Sequence, residues 1–237
     1  FATVFTSIGM AGLIWFRGEK KAGAVPLTLF SIAVAFWVAG QILVTTGDAL
    51  EREAGRALVN LSPLAGAFFV HFALSFTGWG RREFIYANYA AASGAAVFGG
   101  LYPAGELMPW LSFPRFYWFD ESAIWVGGIT LAYGLFGLFW LIRAGLKSEE
   151  RRRRQIKAAV LSAVWGSISA SGFVFGSVGI ELFPYPVLFL PVYPVLLVYG
   201  VLRYEFMDVN LWARKSLAWL IVFTLSILAV SLVVAAL

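Results

Sequence analysis

The single histidine of the chain, His71, stands in FFVHFALSF (residues 68–76), far from any charged residue. A neutral imidazole carries one N–H donor and one acceptor nitrogen. In hydrocarbon both need partners, because an unpaired polar group there costs several kcal/mol. Polar companions lie at helical spacing. Asn60 precedes His71 by eleven residues, close to three turns, and Ser75 follows by one turn, so on a helix the three share a face. Gln41, Thr45 and Asp48 form a second polar face on the preceding apolar run. Three uses of His71 are open. It can hydrogen-bond a neighbouring helix, through Gln41 or a tyrosine, and fix packing. It can donate to the carbonyl of an apolar ligand, a quinone or lipid, between aromatic walls from Phe68, Phe72, Trp125 and Tyr133. It can also titrate, as imidazoles do near neutral pH.

Other chemistries are excluded by what the sequence lacks. There is no cysteine, so disulfides and thiolate metal sites are ruled out. No lysine sits centrally in an apolar run to form a retinal Schiff base, and one histidine cannot supply two axial haem ligands. Clusters of His, Asp and Glu with metal-ligand spacing are missing, as are glycine-rich nucleotide loops. Glu181 alone is a carboxylate near an apolar boundary, which argues against proton-coupled transport. No catalytic residue and no firmly expected cofactor follow from these residues.

The elements that must carry these side chains are apolar helices. The composition is 60% hydrophobic and 13% charged, against about 25% charged in soluble domains. A crossing takes roughly 20 apolar residues, and eight runs qualify: 1–16, 24–46, 56–77, 84–101, 122–142, 158–180, 186–202 and 216–237. The connections alternate in charge. RGEKK (17–21), GRRE (80–83), 143–157 and 203–215 are basic; GDALERE (47–53), 102–121 and GIELFP (179–184) are not. Placing the basic set inside leaves only Arg52, Arg56 and Arg115 of the 18 Lys and Arg outside. The expectation is an all-α, polytopic helical membrane protein of about eight transmembrane helices with its N-terminus outside. The net charge of +5 thus reports topology rather than nucleic-acid binding. The chain starts and stops inside apolar runs and lacks an initiator Met, which suggests a piece of a longer protein.

Several stretches carry two readings. Small residues recur at Ser162, Gly166, Ser169, Gly172 and Gly176; they suit close packing within one bundle or a dimer seam. Pro191 and Pro194 fall inside the seventh run, where each removes a backbone hydrogen bond and bends the helix. The bend is either static or responsive to ligand. The aromatic, proline-rich stretch 102–121 forms either a belt in the headgroup layer or a lid over the bundle mouth. Arg151–Arg154 sets topology first, and contact with anionic membrane lipids follows from it.

At the seventh run, PVYPVLLVYGVLRYEFMDVNLWARKSLAWLIVF resembles the end of the multi-span, seven-transmembrane-type N-terminal sensor region of bacterial histidine kinases. The matching residues are Tyr199, Arg203, Tyr204, Met207 and Asp208, and FFVHFALSFTG is also similar to this group. The resemblance implies a homodimeric, multi-pass protein of the bacterial inner (cytoplasmic) membrane. It further implies a cytoplasmic kinase domain in the parent chain and a response regulator as partner. His71, inside an apolar helix, cannot be the phosphoacceptor. The whole of 1–237 then reads as one transmembrane sensor domain, with Pro191, Pro194, Arg203 and Asp208 coupling ligand to kinase. The runner-up is a transporter or channel-like protein, which would need a continuous polar path through the bilayer.

Overall fold

A computed structural model describes residues 2–17, 23–101, 107–110, 113–117, 121–175, 185–204 and parts of 215–229. The helices are α1 (Ala2–Arg17), α2 (Ala24–Thr46), α3 (Ala49–Asn60), α4 (Ser62–Thr77), α5 (Arg82–Leu101), α6 (Glu121–Leu146), α7 (Glu150–Phe175), α8 (Tyr185–Leu188) and α9 (Val192–Tyr204). Between α5 and α6 lies a hairpin of β1 (Leu107–Trp110) and β2 (Phe113–Tyr117). Apart from that hairpin the described fold is helical. Among the described residues, three segments are long and apolar enough to cross a membrane: Ala24–Thr46, Ala49–Thr77 and Val126–Leu146. Ala2–Trp15 is apolar but shorter. Large apolar side chains also face outward along the bundle, among them Ile8, Trp15, Leu131, Leu135, Phe139 and Ile168. A helix apolar all round belongs in a core or a membrane.

The third helix begins earlier than its apolar run does. GDALERE is not a loop: Asp48 accepts from Glu51 N at 3.0 Å while Glu51 Oε2 accepts from Asp48 N at 2.9 Å. This capping box starts α3 at Ala49, leaving Gly47 and Asp48 as the whole connection from α2. Such a tight hairpin needs close helices. A Cβ on Gly40 would lie 2.8 Å from Gly55 O, and one on Gly55 would lie 2.8 Å from Gly40 O. After a turn at Leu61, Pro63 enters the first turn of α4, where its missing N–H is harmless. Gly78, at φ 79°, closes α4 in the left-handed conformation.

The seventh run departs more from expectation. Instead of one bent helix over 186–202, α8 ends at Leu188 and α9 starts at Val192. Tight turns bridge them, with Leu190 N donating to Val187 O at 3.0 Å and Val192 N to Phe189 O at 3.1 Å. Pro191 therefore sits in the break, and Pro194 falls in the first turn of α9. Proline is tolerated at both places because neither asks for its N–H.

Two apolar clusters hold the helices together. One joins Met10 and Ile14 (α1), Leu27 (α2), Phe69, Phe72 and Phe76 (α4), Leu141 (α6), Ile156 (α7) and Leu197 (α9). The other joins Val34 and Val38 of α2 to Leu190 and Tyr193. The first lies at the end of the bundle where α4 finishes, termed here the Thr77 end. Arg81, Arg82, Arg143, Lys147 and Arg151–Arg154 gather there too. At the opposite, Thr46 end, β1 and β2 pair antiparallel with Leu107 opposite Tyr117 and Met108 opposite Phe116; the register is irregular before Trp110. Pro109, which cannot donate to the ladder, accounts for the irregularity. Strand β2 lies against α2, so the hairpin reaches across the bundle.

Candidate functional site

Among the described residues, five side-chain hydrogen bonds join α3, α4, α5 and α6 to one another. Asn60 Nδ2 donates to Gly99 O of α5 at 3.0 Å, and Asn88 Nδ2 of α5 donates to Ala67 O of α4 at 3.1 Å. Tyr133 Oη of α6 donates to Asn88 O at 3.2 Å. Ser62 and Thr130 hydroxyls lie 3.3 Å apart. Nearest the Thr77 end, His71 Nδ1 and Tyr89 Oη are 2.6 Å apart. Interhelical bonds of this kind hold helices together where water does not compete.

His71 is half-buried, with its ring edge-on to Tyr89 at 5.7 Å between centroids. Phe68 also meets Tyr89, at 5.5 Å between centroids. Among the described residues Nε2 of His71 makes no hydrogen bond, and it is not sealed in the interior. In the tautomer whose Nδ1 accepts from Tyr89 Oη, Nε2 carries the proton and is left as a donor outside the sealed core.

The residues singled out from sequence do not form one cluster. Asn60, the last residue of α3, and His71, on α4, both reach α5, but at about 1.5 Å per residue they are some 16 Å apart along the chain axis. Ser75 lies one turn beyond His71 and faces the connection around Gly80. Phe68 belongs with His71. Phe72 does not: it is buried in the main core and stacks on Phe76 at 5.3 Å. Tyr133 packs against Gly66 and serves Asn88. Gln41 sits on α2 near the Thr46 end, only 3% exposed, and its Nε2 has no hydrogen-bond partner among the described residues. The side chains of Trp125 and Arg203 lie outside the described residues, as does Asp208 altogether. Gly176 also lies outside them, and of Gly172 only its place in α7 is described. The described part of that small-residue stripe packs within the chain, where Gly166 receives Tyr193.

Tyr193, not anticipated from the sequence, anchors the proline break. It is 4% exposed, its hydroxyl lies 2.9 Å from Ser7 Oγ of α1, and Ser162 Oγ of α7 donates to its carbonyl at 2.8 Å. Thr224, in the last described helical stretch, donates to Thr6 Oγ1 at 3.2 Å. A Tyr between two prolines was the visible signal; its partners, ordinary serines in apolar runs, gave none.

Arg152 makes a second unanticipated link. It donates to Phe76 O at the end of α4, donates to Gln155 Oε1 at 3.0 Å and lies 3.9 Å over the Phe76 ring. Burial pulls its guanidinium pKa below the ordinary arginine value. One of the four arginines of the basic run is thus a cap on the helix that carries His71.

Among the described residues there is no group of three His, Asp or Glu able to hold a metal ion. No curated protein and no solved structure matches the chain. A family model described as the N-terminal 7TM region of histidine kinase matches residues 1–210.

Proposed function

The chain belongs to the histidine-kinase N-terminal 7TM family, and on that premise we propose that His71 and Tyr89 read a membrane-soluble ligand. As a membrane sensor region it implies a kinase domain in the parent chain and a response regulator downstream. The ligand is quinone- or lipid-like: its carbonyl accepts from Nε2 of His71, with Phe68 alongside. This reading rests on one observation, a histidine whose Nδ1 is fixed by a tyrosine while Nε2 stays open outside the sealed core. A ligand moves such a module only by favouring one helix arrangement over another. The arrangement at stake is the α8–α9 break at Pro191 and Pro194, with Arg203 and Asp208 passing it on at the cytoplasmic face.

The rest of the reading is a single domain over 1–237, crossing the inner membrane about eight times, N-terminus outside, working as a homodimer among anionic lipids. The gathering of basic connections at the Thr77 end supports that orientation. Transport is the weaker reading, because the interhelical polar groups along α4 and α5 are closed in pairs rather than strung into a path.

Titration of a short-chain menaquinone analogue into nanodisc-reconstituted chain, followed by tryptophan quenching, tests the reading. Wild type is expected to saturate, and His71→Phe to bind at least about tenfold more weakly, the loss of one charge-free hydrogen bond in a dry site. Identical, non-saturating quenching in both proteins would reject it.

A further inference from the structure

The α2–α3 hairpin holds a second pair of groups that the His71 reading does not use. Gln41 Nε2 and Arg56 Nε are both buried without a hydrogen-bond partner among the described residues. Native folds pair most buried polar groups, so each exception calls for a cause. The two are neighbours by construction. Antiparallel helices that touch at Gly40 and Gly55 turn about 100° per residue in opposite senses seen from one end. One residue onward on each helix, Gln41 and Arg56 therefore leave on the same side of the seam.

That side is the inner one for Gln41, which continues the stripe of Val34 and Val38 facing Leu190 and Tyr193. Both side chains offer donors: the arginine fork has only N–H groups, and the glutamine contributes its amide NH2. Of the acids nearest in the chain, Asp48 and Glu51 are committed to the capping box and Glu53 is exposed, while Arg52 Nη1 donates to Gly47 O at 3.3 Å. Arg115 lies on β2, the strand set against α2. Arg52, Arg56 and Arg115, the three basic residues that the charge count leaves away from the basic end, thus belong to segments packed on α2.

We propose that Gln41 and Arg56 form a binding site for an oxyanion, carboxylate or phosphate, at the Thr46 end of the α2–α3 hairpin. An oxyanion supplies the acceptors both groups lack, and an arginine fork takes two of its oxygens at once. The site is independent of His71 and stands or falls separately. Its source is either a solute from the bulk phase at that end or the headgroup of a surrounding lipid; the chemistry recognised is the same.

Thermal unfolding of the chain in nanodiscs separates these sources. In phosphatidylcholine discs, citrate and inorganic phosphate are each titrated against sodium chloride of equal ionic strength. A saturable rise of about 3 °C or more in wild type, lost in Gln41→Leu and Arg56→Gln and kept in Arg154→Gln, establishes a solute site. No response to either solute, but a rise when phosphatidylglycerol is added, with the same variant pattern, establishes a headgroup site. Arg56→Lys keeps the charge without the fork, and is expected to weaken binding about tenfold while folding normally. Gln41→Leu is also expected to raise the ligand-free midpoint, since it removes a buried group with no partner. Absence of both responses, responses that persist in both variants, or a lower ligand-free midpoint for Gln41→Leu would each overturn the proposal.

Discussion

The hydroxyls of Tyr193 and Ser7 lie 2.9 Å apart across nearly the whole length of the chain, tying the start of α9 to α1. Because Ser162 holds the same tyrosine by its carbonyl, the break between α8 and α9 is clamped from two helices. Removing either member of the hydroxyl pair is expected to cost the same interaction once. Tyr193→Phe and Ser7→Ala should each lower stability by about 1 kcal/mol, and the double variant by little more than the larger single one. Unfolding midpoints of the four proteins test this; additive losses would show that the two hydroxyls act apart.

The His71–Tyr89 pair should behave as a membrane hydrogen bond rather than a buried soluble one. A double-mutant cycle of His71→Ala and Tyr89→Phe is expected to give a coupling of roughly 0.6 kcal/mol and no more than about 1.7 kcal/mol, the mean and upper end for side-chain bonds between membrane helices. A coupling near zero would mean that Tyr89 does not set the imidazole's orientation.

Close helix approach is concentrated at particular glycines. Gly55→Ala places a Cβ 2.8 Å from Gly40 O and the Val44 amide, and a backbone that close cannot yield cheaply. The expected loss is about 1–3 kcal/mol. Gly94→Ala on α5 meets nothing within 4 Å and should leave the midpoint unchanged or slightly raised. Equal effects of the two would contradict the α2–α3 packing.

Within the basic run, Arg152 and Arg154 should separate. Arg154 pairs with Glu150 at 3.1 Å on an exposed helix face, so Arg154→Gln should cost at most about 0.5 kcal/mol. Arg152→Gln loses the Phe76 carbonyl and the ring beneath it, and should cost about 1–3 kcal/mol with little salt dependence. Unfolding at low and high salt distinguishes them.

Much of this architecture could be read from hydropathy. The 24–46 run became α2 with those same ends, and the runs 1–16, 84–101 and 122–142 found α1, α5 and α6 within about four residues; 56–77 is divided at Leu61 between α3 and α4, and 158–180 starts well inside α7. The misses have local causes. Asp48 with Glu51 three residues on is a capping signal, yet the charged stretch around it reads as a loop when only apolar residues are counted. Four prolines between 184 and 194 announce a disturbance but not whether the helix bends or breaks. The β1–β2 hairpin contains Pro109 and Pro114, which hide strand pattern. The site was legible only as far as helical spacing reaches. Asn60 and His71 were assigned one face; they stand on α3 and α4, and both reach α5. Spacing does not say which helix lies opposite, so Gln41 and Phe72 were grouped with a histidine that neither accompanies.

The claim that His71 reads a membrane-soluble ligand is tested most directly by mass spectrometry of organic extracts from purified wild type, His71→Ala and Tyr89→Phe. A quinone or lipid is expected to co-purify with wild type, to be lost from folded His71→Ala protein and to be reduced in Tyr89→Phe. An extract with no specific compound, or the same compound at equal yield from all three, would contradict it and leave His71 as a packing residue between α4 and α5.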